Sequence, residues 1–127
     1  MEDRRRAGLW LAVAGLDGAA GVVAGALGAH GVAPDVRHLV ETGAQFQLLH
    51  ALALAGVALT VRTRGGRLVE WAGWAFLIGC LLFSGGLYLM AAGTLRAIPL
   101  VPVGGTAFIV GWLLFGAAGL RDWRRPV

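Results

Sequence analysis

Eight side chains that could do chemistry sit inside stretches that are otherwise apolar: Asp17, then Gln45, Gln47 and His50, then Cys80, Ser84 and Tyr88, and finally Thr106. His30 stands at the edge of the first stretch. Ionisable and amide groups are costly in apolar surroundings, so each marks either a site or a hydrogen-bonded contact. Gln47 and His50 are three residues apart and share one face of a helix. With Ser84 and Thr106 they could converge on a small ligand, a proton or a metal ion; Tyr88 falls in the same half of the bundle, and His30 is a further candidate at the end of its span. The competing expectation is that all of these groups simply hydrogen-bond between helices, which is how membrane bundles ordinarily use them. That expectation takes precedence, because a site needs several convergent groups and only His50 can be placed firmly from spacing.

Asp17 stands apart. A lone carboxylate in the middle of an apolar helix could exchange a proton or bind a cation, or it could be a hydrogen-bonded structural group. Haem is not expected, since axial histidines must share a depth and His30 and His50 differ by about 10 Å at 1.5 Å per residue. His38 falls in a connection. Cys80 reads as a small buried residue. No nucleophile, base and orienting group occur together, so no enzyme activity, metal or cofactor is expected.

The elements that must position these groups follow from the apolar runs. The chain has 127 residues, of which 57% are hydrophobic and 18 are charged, and its mean hydropathy is +0.73. A soluble domain of this size needs a mostly polar shell, which this composition cannot supply. One Cys rules out an intrachain disulfide framework, and 21 Gly without a triplet period rule out collagen. Four stretches reach the roughly 20 residues needed to cross a bilayer: Leu9 to Ala29, Gly43 to Val61, Trp71 to Gly93 and Pro102 to Leu120. Asp17 is the one charged residue inside them. Short connections make sequential helices antiparallel neighbours, so the expected fold is all-α: one membrane domain, an antiparallel four-helix bundle over residues 1–127.

The pI of about 11 would suggest nucleic acid if the arginines lined one polar face, but they do not. Arg4, Arg5 and Arg6 precede the first span, Arg62, Arg64 and Arg67 join the second to the third, and Arg121, Arg124 and Arg125 follow the fourth. The alternate connections hold only Arg37 and Arg96. This bias predicts both termini in the cytoplasm, or on the equivalent side of an organelle membrane, with Trp10, Trp71, Trp74 and Trp123 in the headgroup layer on that side. The bilayer is then the expected partner, and nucleic acid is not. The basic start followed by Ala24-Gly25-Ala26 has the outline of a signal peptide, but its apolar run is too long for one, so an uncleaved first span is expected.

In lipid, close approach of small residues must hold helices together. Gly21, Gly25 and Gly28 form a stripe with Asp17 on the first span, and Gly104 and Gly111 form another with Ala107 and Ala118 on the fourth. These faces are expected to be the tight interfaces within the chain.

Several segments together resemble the YgdD-like small integral membrane proteins, a family of unknown function with vertebrate transmembrane relatives. They are Gly25-Ala26-Leu27-Gly28-Ala29-His30-Gly31, Thr42-Gly43 with Phe46-Gln47 and His50-Ala51-Leu52-Ala53, Leu82-Phe83-Ser84-Gly85-Gly86-Leu87-Tyr88, and Pro102-Val103-Gly104-Gly105 with Phe108 and Gly111-Trp112. The resemblance implies an inner- or plasma-membrane four-helix protein. His30, Gln47, His50, Ser84 and Tyr88 fall on family-type positions, whereas a small or neutral residue is implied at position 17, so Asp17 departs from the pattern. The leading expectation is a structural or accessory protein that acts by helix packing in an oligomer or a larger membrane complex. The alternative is a small-solute or cation transporter, or a ligand-binding membrane protein, built on the polar cluster in the outer half.

Overall fold

The computed structural model describes residues 1–94, 96 and 99–124. Arg125, one of the arginines counted above, lies outside them. Among the described residues there are four long helices and no strand: α1 (Glu2–His30), α2 (Arg37–Thr63), α3 (Arg67–Ala91) and α4 (Leu100–Trp123). All four are long and apolar enough to cross a membrane. Each begins before its apolar stretch and all but α3, which stops at Ala91, also continue beyond it, because a helix runs past the hydrocarbon wherever nothing breaks it. At the start of α1, for example, Glu2 and Arg6 pair one turn apart.

The helix ends have local causes. Gly65 and Gly66 both take positive φ (65° and 113°) in the three-residue link between α2 and α3, a conformation that disfavours side chains. Gly93 (φ 75°) closes α3. The amides of Gly93 and Thr94 donate back to the Met90 and Leu89 carbonyls at 3.0 and 3.1 Å, the paired bonds of a Schellman cap. Pro102 lies in the first turn of α4, where no helical partner for its missing N–H is needed.

The bundle is built from two hairpins, α1 on α2 and α3 on α4, with α2 and α3 at its centre. Leu54, Val57 and Val61 of α2 and Ala72 and Phe76 of α3 are wholly buried. The glycine stripe of α1 faces α2: Gly18 lies opposite Ala51, Gly21 opposite Leu48 and Gln47, Gly25 opposite Ala44, and Gly28 opposite Val40 and Glu41. On α4, Gly104 sits against the Phe83 backbone of α3, and Gly111 receives the Phe76 ring. Aromatic rings seated on glycines recur through the bundle, with Trp10 on Gly73, Phe108 on Gly79 and Tyr88 on Gly43. These three glycines were not singled out by the spacing of small residues.

One turn of α3, Cys80–Ser84, is π-helical. The wider turn delays the helix face by one residue. Ser84 therefore points to α2 while Gly85, five residues after Cys80, takes the place next to it on the α1 side.

At the end carrying both termini, Arg6 pairs with Glu70 at 3.1 Å and Arg64 with Asp122 at 3.4 Å, joining α1 to α3 and α2 to α4. The opposite end carries the connections that follow His30 and Ala91.

Candidate functional site

The polar residues do not form one cluster. They separate into three groups. The first centres on Gln47, a buried residue of α2 that reaches both neighbours. Its Nε2 donates to Asp17 Oδ1 of α1 at 2.8 Å, and its Oε1 accepts from the Tyr88 hydroxyl of α3 at 2.7 Å. The Cys80 thiol donates to the other Asp17 oxygen at 3.2 Å. Both carboxylate oxygens thus accept a hydrogen bond from a neutral donor. No ion pair to Asp17 forms among the described residues.

The second group surrounds His50, which is 1% exposed. Its Nδ1 lies 2.7 Å from the Phe46 carbonyl, and its Nε2 lies 3.1 Å from the Trp112 indole nitrogen of α4. The imidazole stacks on Phe108 with ring centroids 3.6 Å apart and lies against Phe76 at 5.5 Å. An indole N–H can only donate and a carbonyl can only accept, so the ring is held as the neutral Nδ1–H tautomer. Both of its nitrogens are occupied and no face is free.

In the third group, the buried Ser84 hydroxyl donates to the Gly43 carbonyl at 2.8 Å, tying α3 to α2. Thr106 and His30 join none of these groups. Thr106 is exposed and donates to the Pro102 carbonyl of its own helix at 3.0 Å. His30 is exposed at the end of α1, and Gln45 is also exposed.

The expectation of a single cluster made of His30, Gln47, His50, Ser84, Tyr88 and Thr106, with Asp17 set apart, therefore divides differently in space. Asp17 is joined to Gln47 and Tyr88, while His50 is turned toward α4. The partners that sequence reasoning missed are Cys80 for Asp17 and Trp112 for His50. The indole of Trp112 lies on the family-type stretch of the fourth span, but nothing in the spacing paired it with His50. Among the described residues, no three His, Cys, Asp or Glu side chains gather where they could hold a metal ion.

The Asp17 group has a second property, in that it lies on the wall of a cleft of about 630 Å³ between α1 and α3. Gln47 and Val40 of α2 form its floor. Asp17 and Cys80 stand at the end nearer the middle of the bundle, and Val32, Ala91 and Ala92 at the end nearer the connections. The lining between them is apolar apart from Tyr88 and includes Ala24 and Leu27 of α1 and Leu81 and Gly85 of α3. A Cβ on Gly85 would find only the Cys80 carbonyl, at 4.0 Å. The residue brought to this face by the π-turn therefore leaves the cleft open. Clefts of this volume and mostly apolar character are typical of small-molecule sites, which run to about 300–1,000 Å³.

The chain has relatives among known proteins. Residues 24–105 match the model of a family described as protein of unknown function (DUF423). That segment contains Gln47, His50, Cys80, Ser84 and Tyr88 and leaves out Asp17 and Trp112. The inner membrane protein YgdD of Escherichia coli (strain K12) is 34% identical over 122 residues, covering 92% of this chain and 93% of its own. A membrane protein of Staphylococcus epidermidis is 35% identical over 102 residues, covering 76% and 83%. The membrane protein YwdK of Bacillus subtilis (strain 168) is 38% identical over 103 residues, covering 76% and 84%. No solved structure matches. With four membrane-length helices and relatives aligned over most of its length, the chain belongs to the DUF423 family and is a multi-pass inner-membrane protein whose relatives are of unknown function.

Proposed function

We propose that the chain is a membrane-embedded binding protein for a small hydrophobic molecule, which it takes up laterally from the bilayer into the α1–α3 cleft. The observation that carries this reading is the cleft of about 630 Å³, whose otherwise apolar wall ends on the hydrogen-bonded Asp17, Gln47, Cys80 and Tyr88. His50 and Ser84 play the structural part in this reading: each is fully buried with its partners satisfied, and each links α2 to a neighbour.

The site is tested by purifying the chain in mild detergent and analysing what accompanies it by native mass spectrometry. A bound apolar molecule near one-to-one stoichiometry is expected, and Gly85→Leu, which fills the cleft, should remove it while leaving the thermal unfolding profile cooperative. A ligand-free chain whose unfolding temperature responds to no hydrophobic compound would overturn the reading.

The arginine bias supports an orientation with both termini in the cytoplasm, which puts the cleft in the outer leaflet. A second reading, an accessory role in an oligomer or a larger membrane complex, draws support from α4. This helix keeps Ile109, Leu113 and Leu120 exposed and has open space beside Gly116 and Gly119. Co-purification of a stoichiometric protein partner with an empty cleft would favour it.

A further inference from the structure

Resting on the cleft reading above, we propose that the occupant is a hydrophobic organic ammonium: a protonated amine that donates to the Asp17 carboxylate near the middle of the bundle, with its apolar body lying between α1 and α3 toward the loop end. Three observations converge on this class.

The first is charge. Asp17 is the one charged residue inside the four apolar stretches, and the partners of its two oxygens are a neutral amide and a neutral thiol. These donors orient the carboxylate without balancing its charge, and each oxygen has a further lone pair available. In a low-dielectric surrounding an uncompensated carboxylate is costly, and a cation that reaches it is held far more strongly than in water. Asp17 is only partly buried and lines the cleft, so a ligand can reach it.

The second is the direction of polarity. Asp17 and Cys80 stand toward the middle of the bundle and the apolar residues Val32, Val40, Ala91 and Ala92 toward the loop end, with Tyr88 between. A bilayer phospholipid has the opposite order, with its tail ends at mid-depth and its charged head at the surface. Such a lipid would bring hydrocarbon to the carboxylate and its headgroup to the apolar loop end. A molecule with a single cationic group on an otherwise apolar body matches the lining in both places.

The third is the supply of donors and acceptors. The Tyr88 hydroxyl and Cys80 thiol hydrogens are already given to Gln47 Oε1 and Asp17, so what these groups offer a ligand is mainly acceptor capacity, at Asp17 and the Tyr88 oxygen. An ammonium carries donors only and satisfies both.

The test uses the full chain in lipid nanodiscs and two photoactivatable probes that share one apolar aryl-alkyl body and diazirine. One probe ends in a primary amine and the other in a hydroxyl. Cross-linked peptides are read by mass spectrometry. The amine is expected to label segments 17–32 and 80–92, with the unlabelled amine competing it away. Asp17→Asn should weaken amine labelling about tenfold, the loss expected for one hydrogen bond to a charged group, and leave the alcohol unchanged. Gly85→Leu should abolish labelling of these segments by both probes.

Equal labelling by amine and alcohol, with Asp17→Asn affecting neither, would overturn the ammonium assignment while the cleft reading stands. Labelling that ignores Gly85→Leu, or that falls outside these segments, would overturn both. Competition in the unmodified chain is decisive even if the Asp17 variant folds poorly: an unlabelled amine that competes no better than the unlabelled alcohol removes the proposal.

Discussion

His50 looks like the obvious chemical residue of this chain, yet its surroundings leave it nothing to do but hold two helices. The Phe46 carbonyl takes its Nδ1 proton and the Trp112 indole proton occupies its Nε2. A nitrogen-15 spectrum of labelled histidine should therefore show one side chain as a neutral Nδ1–H tautomer, and an Nε2–H signal for His50 would contradict the geometry. Trp112→Phe keeps an aromatic body but leaves Nε2 without its donor, so it should cost about 1 kcal/mol in steric-trapping or denaturant unfolding in bicelles. His50→Ala also empties a site stacked on Phe108 and Phe76 and should cost more, about 2–4 kcal/mol by analogy with large-to-small core changes. Tyr88→Phe removes one interhelical bond and should cost only about 0.6 kcal/mol, the average for such bonds in membrane proteins. The residues of the Asp17 group were legible as polar groups in apolar spans, but their contact was not. Reckoned from the outer ends of the apolar stretches, Asp17 lies about 18 Å deep and Gln47 about 6 Å. Reckoned from the helix ends at His30 and Arg37 the depths become about 20 and 15 Å, a gap that the long Gln47 side chain closes.

Close approach between helices depends on where a glycine faces a ring or a backbone, and that is a property of the pair, not of one helix. The stripes on α1 and α4 could be read from spacing because glycine recurs there every three or four residues. Gly43, Gly73 and Gly79 could not, because what makes each of them necessary is a Tyr88, Trp10 or Phe108 ring arriving from another helix. The π-turn was equally hidden. Period 3.6 shows in a sequence only when apolar and polar residues alternate around the helix, and from Trp71 to Gly93 nearly every residue is apolar. Yet that turn separates Ser84, which serves the α2 contact, from Gly85, which keeps the cleft open. The sharpest test of this level is a pair of identical substitutions in α4. Gly104→Ala would press a methyl into the Phe83 backbone of α3, which cannot rotate away as a side chain could, and should destabilise the bundle by about 1–3 kcal/mol. Gly116→Ala meets nothing within 4 Å and should change stability by less than about 0.5 kcal/mol. Equal effects in bicelle unfolding would mean that α3 and α4 do not meet as described.

The bundle as a whole was the most legible part of the sequence, because bilayer thickness converts apolar length directly into helices and short connections convert helix order into antiparallel topology. Its orientation depends on a different property, the placement of arginine. At the end with both termini, Arg6 and Arg64 are paired with Glu70 and Asp122, and Glu2 and Asp3 lie beside the first arginines. If net charge governed insertion, these acids would weaken the signal. They should not, because arginines near span ends retain the orienting influence and acidic neighbours contribute little. The ion pairs are exposed and add little to stability, so they do not compete with the arginines' topological role either. Fusing alkaline phosphatase, which is active only outside the cytoplasm, after Ala33 should give an active enzyme, and fusing it after Arg124 an inactive one. Replacing Glu2, Asp3, Glu70 and Asp122 together by neutral amides should leave both results unchanged. Activity at Arg124 would reverse the bundle and move the α1–α3 cleft to the cytoplasmic leaflet, so the same pair of fusions decides from which side of the membrane a hydrophobic molecule can enter.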